Sequence, residues 1–305
     1  MTEQDQALVA LLATLQPNRY RFVTPTPATH ARVLARREGQ TAHDLRDVLG
    51  WSLPFAPETI DADIFALLQR GGVLEPHALG FTSRIRVATL GSYRFIHSAY
   101  PTVAQDAVFF GPDSYRFAAF LRRKLKVRRN GLRVADIGTG AGVGAAIAAR
   151  MTRAPALATD INPLALRYAA INFAHEGVDV RTLETSGLDA VPDPIDIVVA
   201  NPPYIADDAR RAYRDGGAMH GAALSLDWAK AAAARLPRHG QLLLYTGSAI
   251  VGGRDGFKDA LFEALPGFDI EYEEIDPDVF SEELEREAYA DVERIAVMGV
   301  NAVRR

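Results

Sequence analysis

Short apolar runs alternate with longer amphipathic stretches from about residue 109 to the end of the chain. Five runs rich in apolar or β-branched residues predict strands at 132–137, 156–160, 178–182, 195–200 and 241–245. Helical spacing of apolar positions occurs at 113–126, 145–151, from 162 onward and at 224–236. Strands that alternate with helices indicate βαβ units. With two further strands at 268–275 and 294–303, the pattern predicts an α/β fold with a doubly wound, mostly parallel seven-stranded sheet.

The first hundred residues have a different pattern. Helical spacing occurs at 4–15, 27–37, 41–49 and 59–68, and alternating runs at 84–87 and 93–96 flank a turn at Gly91, as in a hairpin. Helix, helix and hairpin is the order of a winged helix, and a plain α+β cap fits the same pattern. We therefore expect two domains. The smaller one, 1–106, is mainly helical and recognises the substrate, and the larger α/β domain covers 107–305.

Composition narrows the class of protein. Of the 305 residues, 48% are hydrophobic and 24% are charged, which is typical of a globular protein. The chain has no cysteine, so a disulfide framework and a thiolate zinc site are excluded, and its seven histidines have no metal-ligand spacing. No apolar stretch reaches the roughly 18 residues of a membrane helix, and the first residues are acidic and polar. We expect a cytoplasmic protein with no metal and no membrane partner.

Charge is distributed unevenly along the chain. The net charge is −4, but residues 1–133 carry 18 Lys and Arg against 11 Asp and Glu, whereas residues 134–305 carry 16 against 27. Much of the basic excess lies in 122–133, which is either a phosphate-contacting patch or the solvated end of a helix. Residues 271–293 hold eleven acidic residues and one arginine. That insert would repel a phosphate backbone and attract a basic protein, or it is a solvated face.

A glycine-rich turn, Asp136-Ile137-Gly138-Thr139-Gly140-Ala141-Gly142, joins the first predicted strand of the larger domain to a helix. Glycines at such a turn let the backbone approach a ligand and expose amide groups at a helix N-terminus. Asp136 can accept hydrogen bonds from an ammonium or a hydroxyl group. Asp160 closes the next strand, where an acid can bind both hydroxyls of a ribose or cap a helix. This pattern fits a nicotinamide cofactor and S-adenosylmethionine equally.

The tetrapeptide Asn201-Pro202-Pro203-Tyr204 follows the fourth strand and distinguishes these two cofactors. The carboxyl end of a strand in a doubly wound sheet faces the ligand crevice. Two prolines remove two N–H donors and leave carbonyl oxygens free to accept hydrogen bonds. Asn201 adds a side-chain acceptor, and Tyr204 offers a flat ring for stacking. Together these residues predict a clamp for a planar group that carries an NH2.

These motifs resemble those of class I S-adenosylmethionine-dependent methyltransferases with an Asn-Pro-Pro-Tyr motif. That subgroup contains the HemK-type glutamine methyltransferases of peptide release factors and the adenine amino-methyltransferases of DNA and RNA. The resemblance runs from about residue 107 to the end and implies a Rossmann-like methyltransferase sheet. It implies S-adenosylmethionine as the cofactor, held by Asp136, Gly138, Thr139, Gly140, Gly142, Asp160, Ile161, Ser186, Gly187 and Asn201.

The resemblance also implies the chemistry of the acceptor. Asn201 and the Pro202 carbonyl would accept hydrogen bonds from the acceptor NH2, Pro203 would line the site, and Tyr204 would stack on the acceptor plane. The implied reaction is N-methylation of a macromolecule, at an adenine of RNA or DNA or at a glutamine of a protein such as a release factor. The basic half and the winged-helix order favour nucleic acid, and the glycines at 216, 217 and 221 favour glutamine. A cofactor-binding module without catalysis is the alternative.

Two segments depart from the family pattern. The family usually has an acid near the end of the third strand that binds the cofactor adenine, and Ser186-Gly187 stands there in this chain. Either a backbone amide replaces that acid or Glu184 reaches back to the adenine. The segment Phe110-Gly111-Pro112-Asp113-Ser114-Tyr115 replaces the Pro-Arg-Pro-Glu-Thr pattern of the release-factor enzymes. Asp113 and Ser114 can still cap the helix that follows.

Overall fold

The computed structural model describes residues 1–16, 19–127, 131–206 and 214–305. Its helices are α1 (Glu3–Thr14), α2 (Pro27–Ala35), α3 (Leu45–Leu49), α4 (Ala62–Arg70), α5 (Pro112–Lys124), α6 (Val143–Thr152), α7 (Pro163–Glu176), α8 (Ala223–Arg235) and α9 (Gly256–Ala264). Its strands are β1 (Leu74–His77), β2 (Gly80–Ser83), β3 (Ile85–Leu90), β4 (Tyr93–Ser98), β5 (Val134–Ile137), β6 (Ala156–Asp160), β7 (Val180–Glu184), β8 (Ile197–Ala200), β9 (Gln241–Val251), β10 (Arg254–Asp255), β11 (Phe268–Asp276) and β12 (Arg294–Arg304). Short 3-10 helices lie at Pro57–Thr59, Ser281–Glu285 and Glu287–Tyr289.

The central sheet has the predicted doubly wound topology. Seven strands follow one another in the order β11-β12-β9-β8-β5-β6-β7, and the two-residue strand β10 pairs with β9 beside this path. The strands from β9 to β7 are parallel, and β12 runs antiparallel to both of its neighbours. The α/β prediction is therefore confirmed. The carboxyl ends of β5, β6, β7 and β8 meet at one edge of the sheet, where a doubly wound fold binds its ligand.

Both faces of the central strands of this sheet are buried, whereas the edge strands β7 and β11 are partly exposed. Alternate side chains of a strand point to opposite faces, and in β9 Leu242 and Leu244 join one hydrophobic cluster while Leu243 and Tyr245 join another. The first cluster includes side chains of α8 and α9, and the second includes side chains of α5, α6 and α7. Helices on both faces of a mostly parallel sheet are the expected arrangement, because such strands expose no solvent face.

The region before residue 107 combines helices with two hairpins. β3 pairs with β4 around Gly91, as predicted, and β1 pairs with β2 in a second hairpin that the sequence pattern did not indicate. The buried residues of this region and those of α5, α6 and α7 form one continuous hydrophobic cluster. A boundary at residue 106 and a winged-helix relationship therefore stay predictions.

Polar contacts reinforce the junction between the two regions. The buried Asn172 side chain of α7 accepts a hydrogen bond from the Ile96 amide of β4 at 2.8 Å and donates to the Ile96 carbonyl at 3.1 Å. The Asn172 side-chain amide also donates a hydrogen bond to the Ala141 carbonyl in the glycine-rich turn at 2.9 Å. Asp5 of α1 forms an ion pair with Arg167 of α7 at 2.7 Å. The N-terminal region is thus docked on the helix that flanks the turn.

Two elements of the larger region differ from the sequence pattern. β9 extends to Val251 rather than ending at 245, because its second half pairs with β12 through residue 250 although it contains Thr246, Gly247 and Ser248. Helix α9 was not predicted; Asp255 caps it by accepting a hydrogen bond from the Lys258 amide. In the described ranges, no helix has the length and apolar character needed to cross a membrane.

Candidate active site

A cavity of about 440 Å³ lies at the carboxyl edge of the parallel strands. Its wall combines the glycine-rich turn after β5, the ends of the loops after β6 and β7, and the Asn-Pro-Pro-Tyr segment after β8. Of the predicted site residues, the wall contains Asp136, Gly138, Thr139, Gly140, Asp160, Ile161, Ser186, Gly187, Asn201, Pro202, Pro203 and Tyr204. Residues up to 68 positions apart in the sequence therefore line one cavity.

Asp136 holds the glycine-rich turn together. Its side chain is 1% exposed, and its Oδ2 accepts hydrogen bonds from the Thr139 hydroxyl at 2.6 Å and from the Ala145 amide at 2.8 Å. Burial raises the pKa of Asp136 to about 7, although these two hydrogen bonds favour the charged form, and nearby Asp160 raises it further. The carboxyl group therefore joins the strand end to the start of α6, and it still borders the cavity.

Gly142 differs from the other glycines of the turn. It is the N-cap of α6 with a φ of 88°, and it is absent from the cavity wall. A Cβ at this position would lie 2.6 Å from the Phe173 ring of α7. The close packing of the turn on α7 by itself requires glycine at this position, and a cofactor contact of Gly142 stays a prediction.

Asp160 occupies the position expected for a ribose-binding acid. Its Oδ2 accepts a hydrogen bond from the Gly140 amide and its Oδ1 accepts one from the Asn162 amide, both at 2.9 Å. Burial raises the pKa of Asp160 against the effect of these bonds. The N-cap of α7 is Asn162 and not Asp160, because the Asn162 side chain accepts a hydrogen bond from the Leu164 amide. Each Asp160 oxygen keeps a further lone pair, so the carboxylate can still receive two hydroxyl donors from the cavity.

The loop after β7 meets a tryptophan that sequence reasoning missed. Thr185, Ser186 and Gly187 line the cavity, whereas Glu184 is exposed and outside the wall. The half-buried indole of Trp228, in α8, lies beside two glycines of the cavity wall. A Cβ on Gly138 would lie 2.5 Å from the indole ring, and a Cβ on Gly187 would lie 3.8 Å from the indole Nε1. Its place in an Ala-rich helix gave no local signal for a site residue.

The Asn-Pro-Pro segment presents hydrogen-bond acceptors to the cavity. The Asn201 side chain is partly exposed, and it has no hydrogen-bond partner among the residues that the structure describes. The Pro202 carbonyl likewise accepts no hydrogen bond within the described part of the chain. Gly216 donates its amide to the Ile205 carbonyl at 2.8 Å, which fixes the chain just after the motif. Two acceptors thus remain available at this wall.

Tyr204 is more buried than a simple stacking platform would be. Its side chain is 7% exposed. A Cβ on Gly247 of β9 would lie 2.2 Å from the Tyr204 ring, and the Phe280 ring packs against it with a centroid distance of 6.0 Å and a tilt of 57°. The hydroxyl is buried and forms no hydrogen bond within the described residues. That Tyr204 stacks on an acceptor stays a prediction.

A buried carboxyl group borders the same end of the cavity. Asp113, in the first turn of α5, is 8% exposed and accepts a hydrogen bond from the Tyr245 hydroxyl at 2.8 Å. The Tyr204 hydroxyl faces this carboxyl, and Arg116 lies 3.4 Å from it. Burial raises the pKa of Asp113. Asp113 therefore does not cap α5, as the sequence suggested it could; Ser114 does so by accepting a hydrogen bond from the Gly111 amide at 3.4 Å.

The acidic insert contributes to the cavity. Phe280, Glu282 and Glu283 line it, and Glu282 is exposed at the mouth. Glu283 is 4% exposed because it forms ion pairs with Arg214 and with Arg286, the latter at 2.7 Å. The insert thus lies next to the Asn-Pro-Pro-Tyr segment and is not only a solvated face.

The basic segment lies far from the cavity. Helix α5 begins beside the cavity and ends at Lys124, about 17 Å beyond Asp113 at 1.5 Å per residue. Arg123 pairs with Glu273 of β11 at 2.5 Å, and Lys124 lies 3.0 Å from Glu271 of the same strand. Neighbouring carboxylates therefore neutralise part of this segment.

Two arginines of the basic segment, Arg128 and Arg129, lie outside the described residues. Arg122 packs its guanidinium over the Tyr93 ring, 5.7 Å from the centroid. Within the described ranges, no three His, Cys, Asp or Glu residues cluster in a way that could hold a metal ion.

Comparison with known proteins agrees with this geometry. Residues 102–246 match the family described as the methyltransferase small domain. The release factor glutamine methyltransferase of Agrobacterium fabrum is 30% identical over 178 residues, which cover 54% of this chain and 58% of that protein. The enzyme of the same name from Deinococcus radiodurans is 40% identical over 95 residues, covering 31% of this chain and 34% of that protein. The chain thus matches only a third to three fifths of the length of these relatives.

Other similar proteins carry different names. A ribosomal protein L11 methyltransferase of Pelotomaculum thermopropionicum is 41% identical over 101 residues, 32% of each chain. Among solved structures, Trm5b from Pyrococcus abyssi has a TM-score of 0.50 at 16% identity and covers 76% of this chain and 62% of its own. A similarity at that identity indicates the same fold.

Proposed function

We propose that this chain is an S-adenosylmethionine-dependent methyltransferase that methylates the side-chain amide nitrogen of a glutamine in a protein, because residues 102–246 match the methyltransferase small domain family and relatives named for release factor glutamine are similar to it. The observation that carries the proposal is that the free acceptors of Asn201 and Pro202 line the same cavity as Gly140 and Asp160. A site for an acceptor NH2 and a site for a nucleoside-like cofactor are then within one enclosure.

The residues present fit the cofactor. A Cβ on Gly140 would meet no atom within 4 Å, so the absence of a side chain leaves open space inside the wall. Asp160 would bind the ribose hydroxyls, the turn at Gly138 to Gly140 would lie against the methionine part, and Ser186 and Gly187 would meet the adenine. We add Trp228 to this set, because its indole borders both glycine positions. When bound, the cofactor supplies an electrophilic methyl group on sulfur.

Asn201 and Pro202 would orient the acceptor. A primary amide has two N–H donors, which match the Asn201 side-chain oxygen and the Pro202 carbonyl oxygen. Holding both donors directs the nitrogen lone pair away from these oxygens and into the cavity. Such positioning can supply much of the rate of a group transfer, because the reacting atoms no longer have to find each other.

Charge supports a protein acceptor over a nucleic acid. The exposed Glu282 of the acidic insert lines the cavity and would repel a phosphate there, whereas Glu271, Glu273 and Glu283 of the same insert are paired with basic side chains. The basic segment lies at the other end of α5, where Arg123 and Lys124 are paired with acids. Relatives named for release factor glutamine and for ribosomal protein L11 favour a protein acceptor, and one named ribosomal RNA small subunit methyltransferase C favours a nucleic acid. An adenine acceptor is the second outcome that the experiment must test.

A labelled-methyl assay tests the proposal. The protein is incubated with methyl-labelled S-adenosylmethionine and either a short peptide with one glutamine, the same peptide with glutamate, or an adenine-containing oligonucleotide. We expect label in the glutamine peptide alone. Label in the oligonucleotide alone would replace glutamine by adenine as the acceptor. Binding of S-adenosylhomocysteine in calorimetry, with no transfer to any acceptor or to total cellular protein, would instead establish a binding module without catalysis.

A further inference from the structure

Phe280 stands beside the proposed acceptor clamp in an unusual backbone conformation. Its φ and ψ of 57° and 42° lie in the left-handed region, which a residue with a bulky side chain rarely adopts. Its side chain lines the cavity and packs against Tyr204, with the ring centroids 6.0 Å apart. The backbone therefore holds this ring at the cavity in spite of local strain.

Contacts on both sides of Phe280 fix this conformation. On one side, the Val279 amide donates a hydrogen bond to the Ile295 carbonyl of β12 at 2.8 Å. On the other side, the Glu283 amide donates to the Phe280 carbonyl at 2.8 Å, and the Glu283 carboxylate is held by Arg286 and Arg214. The insert is also anchored by Tyr289, whose hydroxyl accepts a hydrogen bond from the Ala206 amide at 2.8 Å. These anchors can sustain a strained residue at the cavity wall.

The Phe280 ring limits access to Tyr204. A planar group stacked on the Tyr204 ring would need carbon atoms about 3.5–4.0 Å from it. Gly247 already packs against that ring, Phe280 packs against it as well, and the side chain is only 7% exposed. A bicyclic base could therefore stack on Tyr204 only if Phe280 moved. A primary amide at the tip of a flexible side chain needs only the two acceptors of Asn201 and Pro202.

We propose that Phe280 determines acceptor specificity by covering Tyr204, so that the site admits a narrow side-chain amide and excludes a stacked base. The inference rests on the proposed function, because it concerns the same clamp. The acidic insert would then act on specificity in two ways: its negative charge repels phosphates, and its Phe280 ring limits the size of the acceptor group.

Methyl transfer to two acceptors tests this role. Phe280→Ala is expected to raise kcat/KM for the adenine oligonucleotide, relative to that for the glutamine peptide, by about tenfold, the scale on which a pocket discriminates by size. The gain should lie mainly in KM, and calorimetry should give an unchanged affinity for S-adenosylhomocysteine. Phe262→Ala is the matched control, because Phe262 is 44% exposed on α9 and outside the cavity wall. An acceptor ratio equal to that of the control would overturn the proposal.

A chemical readout separates this proposal from the proposed function. Hydroxyl radicals oxidise solvent-accessible tyrosine rings, and mass spectrometry locates the product. We expect Tyr204 to be protected in the wild type and oxidised in Phe280→Ala, while Tyr289, which is 1% exposed in the same insert, stays protected and reports that the insert is folded. Equal oxidation of Tyr204 in both proteins would show that Phe280 does not cover it, whatever the enzyme methylates.

A second variant keeps the test decisive if the insert loosens in Phe280→Ala, as oxidation of Tyr289 would reveal. Phe280→Asn removes the ring and suits the left-handed conformation better, because asparagine adopts it readily. It should expose Tyr204 and leave Tyr289 protected. Protection of Tyr204 in this variant would contradict the inference.

Discussion

The two ends of the cavity are built in different ways. The end with Gly140, Asp160 and Gly187 consists of three short loops, each of which directly follows one of the neighbouring parallel strands β5, β6 and β7. The other end is assembled from the start of α5, the segment after β8, Arg214 and the insert at 280–283. The first end is held by backbone amides on carboxylates, and the second by side chains packed on one another.

This difference predicts that substitutions at the two ends of the cavity affect different properties of the protein. Loops at the ends of adjacent strands are positioned by the sheet itself, so the first end, which we propose as the cofactor end, depends on few long-range contacts. The second, the proposed acceptor end, depends on side chains from segments about 170 residues apart, such as Asp113 and Glu283. Apart from the buried Asp136, substitutions at the cofactor end should therefore act mainly on binding of one ligand, whereas substitutions at the acceptor end should change catalysis, specificity and local stability.

The largest effect is expected for Asn201→Ala at the acceptor end. Removing the side-chain acceptor should lower kcat by about a hundredfold or more, the scale observed when one group that stabilises a transition state is removed. Affinity for S-adenosylhomocysteine should stay within a few fold, because the interaction is made with the acceptor. Transfer of labelled methyl and titration calorimetry measure the two quantities. If the affinity for S-adenosylhomocysteine falls as much as kcat, Asn201 also binds the cofactor, and the proposed separation of the two ends is wrong.

Tyr204 gives the next largest effect, on stability as well as on activity. Tyr204→Ala leaves a cavity between Gly247 and Phe280 and should lower the free energy of unfolding by about 3–5 kcal/mol. Tyr204→Phe should be close to neutral in stability and keep much of the activity, because the hydroxyl has no hydrogen-bond partner among the described residues. Denaturant titration and the transfer assay compare the pair. If Tyr204→Phe is as inactive as Tyr204→Ala, the hydroxyl has a catalytic role.

At the cofactor end, Asp136 should make the stability of the free protein depend on pH. Its pKa is about 7 in the fold against 3.8 for an ordinary aspartate, so folding favours the protonated form. The stabilisation is fully present below pH 3.8 and is lost as the pH rises through about 7, by up to about 4 kcal/mol at 1.36 kcal/mol per pKa unit. Denaturant titrations between pH 5 and 8 should show a shallower loss of stability with rising pH in Asp136→Asn than in the wild type. Parallel curves would contradict a buried acid with a raised pKa.

Asp160→Ala should weaken cofactor binding without abolishing folding. Each hydrogen bond from a ribose hydroxyl to this carboxylate contributes roughly 1.5–3 kcal/mol, so the dissociation constant should rise by about tenfold to a hundredfold or more. Asp160→Asn is the control that retains one oxygen for the Gly140 amide and should have an intermediate effect. Calorimetry with S-adenosylhomocysteine measures the affinity. Unchanged affinity in the alanine variant would remove Asp160 from the cofactor site, and binding of NADH in place of S-adenosylhomocysteine would contradict the proposed cofactor.

The smallest effect is expected far from both ends. Neutralising Arg122, Arg123 and Lys126 should leave methyl transfer to the glutamine peptide unchanged, because these residues lie at the end of α5 remote from the cavity. If the acceptor were nucleic acid bound by this segment, each lost phosphate contact would lower the log–log salt slope of binding by about 0.9 on duplex DNA or 0.7 on single strands. Measured salt slopes for wild type and variant therefore decide whether the segment belongs to the acceptor end at all.

Local patterns in the sequence were sufficient for most of the fold. The alternation of strands and helices predicted the sheet, and its strand ends predicted the positions of Gly138, Asp160 and Asn201 in one cavity. The same patterns missed α9, although Phe257, Ala260, Leu261 and Ala264 have helical spacing, and they missed the hairpin of β1 and β2, whose four-residue strands are too short to show an alternation. They also ended β9 too early, since its polar second half is stabilised by pairing with β12, which is distant in sequence.

The sequence by itself determined that the loops with Gly140, Asp160 and Gly187 meet at one edge of the sheet, because each follows a strand that its own apolar pattern predicts. The tertiary structure decided what these loops pack against: it brought Trp228 beside Gly138 and Gly187 and packed Gly142 on Phe173. It also decided the other end of the cavity, where Phe280 packs on Tyr204, and it paired Arg123 with Glu273 away from the cavity. Contacts of this kind depend on which helices and loops pack together across the sheet, and the spacing of residues along one segment carries no information about its distant neighbours.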